Sequence, residues 1–243
     1  MSPTESAREI APGLSVRGFT PPLRLADFGL IAFDMDSTLI NIECVDEIAA
    51  VAGRKAEVAA ITEAAMRGEI ADYKASLRQR VALLKGVRRE DLERVYTQRL
   101  RLNPGVTELV TACQRAGLKT LLASGGFTFF SDRVRDRLGL DFTRSNVLEM
   151  RDGVLTGRTV DQPWGDICDG EEKRRMLAAT CSALGLRTNQ AIAVGDGAND
   201  LPMMAIAGLS VAYHAKPAVR AQAMVAINSG GLDRLLEVVR APA

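Results

Sequence analysis

Two aspartates, Asp34 and Asp36, directly follow a short apolar run, residues 30–33. A run this short and rich in β-forming side chains is typical of a buried strand in an α/β sheet. Ligands of open α/β sheets bind just beyond the carboxyl ends of the strands, where both aspartates fall. In extended geometry the two side chains face the same way, so one can attack while the other transfers protons. An aspartate nucleophile indicates a covalent acyl-phosphate intermediate, although a strand followed by an ordinary turn would also fit this segment.

Two later apolar runs end in the same manner. Residues 118–123 lead into Ser124-Gly125-Gly126, and residues 191–194 lead into the sequence GDGAND at 195–200. Parallel strands would bring all three carboxyl ends to one edge of the sheet. Ser124 and Gly125 would there offer a hydroxyl and backbone N–H groups at the start of a helix, which is an anion-binding arrangement, although a tight strand-to-helix turn would use the same residues.

Four carboxylates would meet at this edge: those of Asp34, Asp36, Asp196 and Asp200. Two carboxylates about 4 Å apart repel by about 4 kcal/mol at an effective dielectric constant near 20, so the cluster needs a cation. A set of oxygen ligands without nearby His or Cys favours Mg²⁺. The alternative is that Asp196 and Asp200 only cap a helix.

The 243 residues suffice for one large domain or for one domain with an insertion. Strands alternate with helices in most of the chain, which predicts an α/β fold with a doubly wound, Rossmann-like parallel-sheet core over residues 26–43 and 104–243. Residues 44–103 contain only predicted helices and read as an all-helical cap inserted after the first strand. Residues 1–25, with four prolines, are predicted to be a flexible lead-in.

One helix of the predicted cap carries an anomaly. At 100° per residue, Tyr73, Leu77, Val81 and Leu84 form an apolar stripe with Arg80 in its middle. An unpaired buried charge costs several kcal/mol, so the guanidinium of Arg80 needs an anionic partner, unless the side chain reaches solvent at the edge of the stripe.

These motifs, in this order, resemble those of the haloacid dehalogenase superfamily and, within it, of the phosphoserine phosphatase family. The resemblance covers about residues 29 to 240. It depends on the following segments: DMDST at 34–38, NIE at 41–43, SLRQRV at 76–81, SGG at 124–126, Lys173, and GDGANDLPM at 195–203.

The resemblance implies a role for each matching residue. Asp34 would attack phosphorus, and Asp36 would protonate the leaving oxygen and then activate water. Mg²⁺ would be held by Asp34, by the backbone carbonyl of Asp36 and by Asp196. The remaining roles concern the phosphate, which would be held by Ser124, Gly125 and Lys173 and contacted by Asn199, with Asp200 orienting a metal-bound water or Lys173.

The implied substrate is O-phosphoserine, hydrolysed in the last step of serine biosynthesis. A carboxylate at Glu43, close to a phosphate site, makes sense if the ligand also carries an ammonium group; Glu43 could otherwise cap the first inserted helix. Arg80 would grip a carboxylate in bidentate fashion. Met66 and Tyr73 would help line the pocket, where the family often has phenylalanine in place of Tyr73.

The composition limits the other possibilities. A formal net charge of +1 gives no global field for nucleic acid or for an anionic membrane surface. A polar amino terminus and four cysteines without a Cys-x-x-Cys pair favour a cytoplasmic protein. The oligomeric state cannot be read from the sequence. Two alternatives stay open: a phosphotransferase that passes the phosphoryl group to an acceptor such as homoserine, and a non-catalytic module that binds phospho-amino acids.

Overall fold

The computed structural model describes residues 6–66, 69–70 and 72–240, except for the side chain of Met66. The strands are β1 (Arg8–Ala11), β2 (Leu14–Val16), β3 (Leu23–Arg24), β4 (Leu30–Phe33), β5 (Lys119–Phe127), β6 (Phe142–Arg151), β7 (Val154–Val160), β8 (Ala191–Gly195), β9 (Leu209–Tyr213), β10 (Val225–Ile227) and β11 (Val239–Arg240). The helices are α1 (Cys44–Val51), α2 (Lys55–Met66), α3 (Tyr73–Ala82), α4 (Arg89–Arg94), α5 (Val106–Arg115), α6 (Thr128–Leu138), α7 (Gly170–Ala183), α8 (Leu201–Ile206) and α9 (Pro217–Arg220).

Within these ranges nine strands form one mixed sheet in the order β1-β2-β10-β9-β8-β4-β5-β6-β7. The strands from β10 to β6 are parallel to one another, while the two edges are antiparallel. Strand β4 lies in the middle, between β8 and β5. Because these three neighbours run the same way, their carboxyl ends lie at one edge of the sheet, as the sequence predicts.

Helices cover both faces of the sheet, which confirms the predicted doubly wound α/β class. Ile31 and Phe33 of β4 join the apolar cluster that contains residues of α5 and α6, whereas Leu30 and Ala32 join the cluster that contains residues of α7 and α8. All four side chains are fully buried. Burial on both sides explains why the strand is a continuous apolar run.

An all-helical segment follows β4, as the sequence predicts: in the described part of residues 44–103 the regular elements are helices and helical turns. Helix α4 ends at Arg94, after which the chain widens into the five-residue helical turn Val95–Arg99. The turn between α3 and α4 pairs with β7 through backbone hydrogen bonds from Gly86 N to Leu155 O (2.9 Å) and from Leu155 N to Val87 O (2.8 Å). This turn therefore anchors the helical segment to the sheet.

The amino-terminal segment differs from the flexible lead-in that the sequence predicts. Strands β1 and β2 form a hairpin, and β2 pairs antiparallel with β10, so this hairpin extends the central sheet. Leu14 and Val16 are buried in the core. Strand β3 pairs with β11 in a separate two-stranded sheet. Across the described residues, no helix combines the length and the apolar character that crossing a membrane requires.

Candidate active site

Asp34 is the first residue beyond β4, and the alternation of the strand decides which way it points. Its even-numbered neighbours Leu30 and Ala32 face helices α7 and α8, so Asp34 is directed to the same side. Its backbone N–H donates to Val194 O of β8 (2.9 Å), which keeps the carboxylate at the junction of the two strands. Asp34 is buried, with a relative exposure of 5%.

Lys173 of α7 reaches Asp34 from that side. Its ammonium group donates to Asp34 Oδ1 (2.6 Å) and to Asp200 Oδ1 (2.7 Å), and the side chain is fully buried. Burial alone would lower the pKa of Lys173, but attraction to Asp200 and Asp34 outweighs it and raises the pKa well above its usual value. Lys173 therefore stays charged between the two carboxylates. Removal of a buried charge from such a set is costly.

Asp196 and Asp200 complete the acidic cluster from the end of β8. Asp200 Oδ2 accepts hydrogen bonds from the backbone N–H groups of Asp196 (3.1 Å) and Gly197 (3.0 Å), so it fixes the loop that carries Asp196. The nearest oxygen atoms of Asp34, Asp196 and Asp200 lie within 4.8 Å of one another. Burial and the charge of Asp200 raise the pKa of Asp196 to about 7.

Asp36 lies in the turn after Asp34 with a backbone that is still extended (φ −65°, ψ 134°), and the chain bends sharply at the next residue. Ser37 has a left-handed backbone (φ 57°), which a non-glycine residue adopts only when its surroundings hold it. Asn103 does so, because its side-chain amide donates to the carbonyls of Ser37 (3.3 Å), Thr38 (2.9 Å) and Ile40 (3.0 Å). Sequence analysis does not find Asn103, which there resembles an ordinary residue before Pro104.

The carboxyl group of Asp36 is only partly satisfied. Its Oδ2 accepts from Cys44 N (3.2 Å), and its Oδ1 is buried without a hydrogen-bond partner among the described residues. Burial and the charge of Glu43 raise the pKa of Asp36 to about 7. A carboxyl group that titrates near neutrality can give up and take back a proton under physiological conditions, as general acid–base catalysis requires.

The segment Ser124-Gly125-Gly126 belongs to β5, not to a helix start as predicted, because helix α6 begins only at Thr128. The pairing of β5 with β6 shifts register between Ala123 and Phe127, so the intervening residues bulge from the ladder. The Gly126 N–H donates to Ser124 Oγ (2.8 Å). The bulge, rather than a helix terminus, turns this segment towards the cavity.

A cavity of about 790 Å³ lies over the carboxyl ends of these strands. One part of its wall carries Asp34, Asp36 and the segment 124–126. Another part carries Asp46 and Arg80 of the helical segment, together with Glu43, the residue directly before that segment. Most of the predicted site residues therefore line one cavity: Asp34, Asp36, Glu43, Tyr73, Arg80, Ser124, Gly125, Asp196 and Asn199. Lys173 and Asp200 are buried, and the ammonium group of Lys173 donates hydrogen bonds to both Asp34 and Asp200. The prediction that Met66 lines the pocket concerns a side chain that lies outside the described residues.

Arg80 is half-buried on α3, among the buried apolar residues Leu77 and Val81. Its Nε is buried and has no hydrogen-bond partner in the described part of the chain. Arg78 of the same helix points elsewhere and pairs with Asp166 at the surface. The unsatisfied nitrogen makes Arg80 a guanidinium available to an anion in the cavity.

Glu43 and Asp46 lie near Arg80 and make the same part of the cavity acidic. Glu43 Oε1 accepts from Ser37 Oγ (2.6 Å), and burial raises the pKa of Glu43. Burial also raises the pKa of Asp46, whose Oδ1 is buried without a partner among the described atoms. Sequence analysis misses Asp46, although its position three residues after Glu43 on the first helix predicts the shared face. A group that carries both signs of charge would fit this end of the cavity.

The fold and the site together define a class of hydrolase. The model of the haloacid dehalogenase-like hydrolase family matches residues 28–208. The chain belongs to this family.

Comparison with individual proteins is more specific. The chain is 75% identical over 240 residues to the phosphoserine phosphatase of Polaromonas sp. strain JS666, covering 99% of this chain and 100% of that relative. It is 72% identical over 229 residues to the phosphoserine phosphatase of Albidiferax ferrireducens, covering 94% and 97% of the two chains. A solved phospho-aspartyl intermediate analogue of a phosphoserine phosphatase superimposes with a TM-score of 0.80 at 36% identity, covering 88% of this chain and 99% of the other.

Proposed function

We propose that this protein hydrolyses O-phosphoserine to serine and inorganic phosphate through an aspartyl-phosphate on Asp34. The observation that carries the proposal is a single cavity that joins Asp34 and Asp36 to Glu43 and Arg80. The first pair suits transfer of a phosphoryl group, and the second suits the ammonium and carboxylate groups of an amino acid. The relatives named above support the same substrate.

The reaction would proceed in two steps. A carboxylate oxygen of Asp34 forms a bond to phosphorus while the bond from phosphorus to the serine oxygen breaks. Asp36 gives its proton to that oxygen, and serine leaves. Asp36 then takes a proton from water as the water oxygen attacks phosphorus, so that phosphate leaves and Asp34 is restored. The pKa of Asp36, about 7, suits both halves of the cycle.

Lys173 and the segment 124–126 would hold the phosphoryl group during both steps. Lys173 is already in contact with Asp34, so its charge lies beside the point of attack. Ser124 and Gly125 line the cavity on the neighbouring strand. Fixed charges and dipoles around the reacting group stabilise the transition state without having to reorganise.

A divalent cation fits the acidic cluster. Asp34, Asp196 and Asp200 place three carboxyl groups within 4.8 Å, with one ammonium group beside them. Both oxygens of Asp200 are already bonded, to Lys173 and to backbone N–H groups, so we propose that Asp34 and Asp196, with the Asp36 carbonyl, hold Mg²⁺. The donor atoms are oxygens, which Mg²⁺ prefers. When bound, the ion would reduce the repulsion between these carboxylates and an anionic substrate.

Removal of the metal is expected to lower phosphate release by at least about 100-fold, because the cluster then repels the phosphate group. The measurement is turnover of O-phosphoserine after EDTA treatment and dialysis, with metal content determined by mass spectrometry. Added Mg²⁺ should restore the rate. Full activity in a sample shown to be metal-free would contradict the metal site.

Residues 44–103 would act as a cap over the α/β core of residues 26–43 and 104–243. The cap supplies Asp46, Tyr73 and Arg80 to the cavity, whereas the core supplies Asp34 and Asp36. Arg80 of the cap and Glu43, the last residue of the first core segment, would together recognise the amino acid, while the nucleophile and the general acid belong to the core. We further propose that the protein acts in the cytoplasm, in the last step of serine biosynthesis.

Replacement of Arg80 by Ala is expected to lower kcat/KM for O-phosphoserine by about 100-fold, since a charged hydrogen-bond pair to the substrate carboxylate is lost. O-phosphoethanolamine is the same molecule without the carboxylate, and its kcat/KM should change less than about threefold. The measurement is steady-state phosphate release from both esters.

Arg78→Ala is the matched control, because Arg78 lies on the same helix but pairs with Asp166 at the surface. It should leave the ratio between the two substrates unchanged. Arg80→Lys should recover little, because an ammonium group cannot bind a carboxylate in bidentate fashion. An equal loss for both substrates in Arg80→Ala would contradict the assigned role.

A further inference from the structure

Tyr73 brings a hydroxyl group against the part of β5 that faces the reacting phosphate. Tyr73 is the first residue of α3 and lines the cavity. A Cβ atom built on Gly125 would lie 2.0 Å from Tyr73 Oη and 3.1 Å from its Cζ. The hydroxyl therefore occupies the space directly over Gly125, and the absence of a side chain at position 125 makes this approach possible.

The structure gives the Tyr73 hydroxyl no partner among the residues that it describes. Within residues 6–66, 69–70 and 72–240, Tyr73 Oη makes no hydrogen bond. Burial raises the pKa of Tyr73 above its usual value, so the group keeps its proton and remains a donor at neutral pH. Lys173 and Arg80 are among the charges close enough to act on it. A half-buried donor with these two cations nearby is placed to meet an anion in the cavity.

The position of Tyr73 is fixed from its own helix. The Asp72 side chain caps α3 by accepting from Ala75 N (2.6 Å). Lys74, the next residue, pairs with Asp166 (2.7 Å) and lies 3.7 Å from Asp169, the residue that caps α7. Helix α3 is thus tied to the start of the helix that carries Lys173.

Gly125, on the other side of the contact with Tyr73, is held in place as well. Asn146 of β6 donates through its side-chain amide to Gly125 O (2.7 Å), and its Oδ1 accepts from Cys168 N (2.8 Å). Asn146 is fully buried. Both the tyrosine and the glycine are therefore held in place before any ligand binds, which reduces the entropy lost on binding.

We propose that the Tyr73 hydroxyl donates a hydrogen bond to a phosphate oxygen of the bound substrate and of the product phosphate. The inference rests on the proposed function, since it adds one phosphate-binding residue to that site. Tyr73 takes no part in bond making.

Tyr73→Phe tests the proposal, with inorganic phosphate and L-serine as product inhibitors. Loss of one hydrogen bond to a charged acceptor should raise the inhibition constant of phosphate about tenfold. The KM for O-phosphoserine should rise by a similar factor, while the inhibition constant of L-serine stays within about twofold, because its charged groups meet Glu43 and Arg80 instead. Tyr96→Phe is the matched control, since Tyr96 contacts Arg133 outside the cavity.

A second variant tests the placement of the hydroxyl itself. Gly125→Ala should lower activity strongly, because the new methyl group overlaps Tyr73 Oη at 2.0 Å. Adding Tyr73→Phe removes that atom and leaves Cζ at 3.1 Å as the nearest ring atom, so the double variant should recover part of the loss. An inhibition constant for phosphate that is unchanged in Tyr73→Phe, an equal rise for L-serine, or no recovery in the double variant would each overturn the inference. Failure of the wild-type protein to hydrolyse O-phosphoserine would instead contradict the proposed function.

Discussion

Replacement of Asp34 by Asn is expected to lower kcat for phosphate release by at least about 10⁴-fold while the protein stays folded. An amide nitrogen and carbonyl oxygen cannot form the aspartyl-phosphate, so the first step of the proposed reaction has no nucleophile. Asn keeps the size of the side chain, and its oxygen can still accept from Lys173, which now donates to Asp34 Oδ1 at 2.6 Å. The measurement is steady-state phosphate release from O-phosphoserine, with urea unfolding to confirm the fold.

Two variants make this result specific. Asp136→Asn is the matched control, because Asp136 is exposed and pairs with Arg135 at the surface, and it should keep full activity. Asp36→Asn should be slow but should still bind beryllium fluoride, a mimic of the phosphorylated aspartate, with Mg²⁺ present. Asp34→Asn should bind none. Near-normal turnover by Asp34→Asn, or capture of the mimic at another residue, would mean that Asp34 is not the nucleophile.

The acidic cluster could be predicted because it depends on a simple rule. Residues 30–33 and 191–194 are apolar runs of strand length, and each is followed by carboxylates. Once both are parallel strands, their ends must lie side by side, and the structure pairs Phe33 with Val194 in register. The proximity of Asp34 and Asp196 thus follows from strand pairing, and Asp200 then fixes the loop that carries Asp196.

The amino-terminal hairpin could not be predicted by the same means. Strands β1 and β2 have four and three residues, too few to show an alternating pattern. The strand that ties this hairpin to the sheet is β10, which pairs with β2 and lies about 200 residues further along the chain. Prolines nearby favour a loop on local grounds, and only the long-range pairing with the sheet edge overrides that preference.

The bulge at residues 124–126 and the clamp by Asn103 also depend on tertiary structure. Ser-Gly-Gly after an apolar run reads as the start of a turn, whereas in the structure β5 continues through it to Phe127. Nothing local indicates that the Asn103 amide reaches the carbonyls of Ser37, Thr38 and Ile40. Such hydrogen bonds depend on how the elements pack against one another, and the local pattern of a single sequence does not reveal that packing.

Lys173 is the clearest case of a residue whose burial depends on tertiary structure and not on its neighbours in sequence. In the sequence it lies in the acidic stretch Glu171-Glu172-Lys173, which is typical of an exposed helix start. In the structure its side chain is fully buried between Asp34 and Asp200, while Arg174, the next residue, is half-buried and pairs with Glu171. Only the position of α7 against the ends of β4 and β8 distinguishes the two neighbours.

Replacement of Lys173 by Met is therefore expected to lower the free energy of unfolding by about 3–5 kcal/mol and to abolish measurable turnover. Met fills a similar volume but leaves the carboxyl groups of Asp34 and Asp200, each now 2.6–2.7 Å from the ammonium, without their cation. Arg174→Met is the matched control on the same helix, and its exposed pair with Glu171 should contribute little to stability. Urea unfolding in metal-free buffer measures both.

The loss of unfolding free energy in Lys173→Met should depend on pH in a defined direction. Burial already raises the pKa of Asp34, and Lys173 is the group whose attraction lowers it. Without Lys173 the pKa of Asp34 in the folded protein rises further, so the variant keeps that proton, and continues to lose stability relative to the unfolded chain, up to a higher pH than the wild type does. The difference in unfolding free energy between wild type and Lys173→Met should consequently increase towards alkaline pH. A difference that grows towards acid would show that the ammonium group does not compensate Asp34.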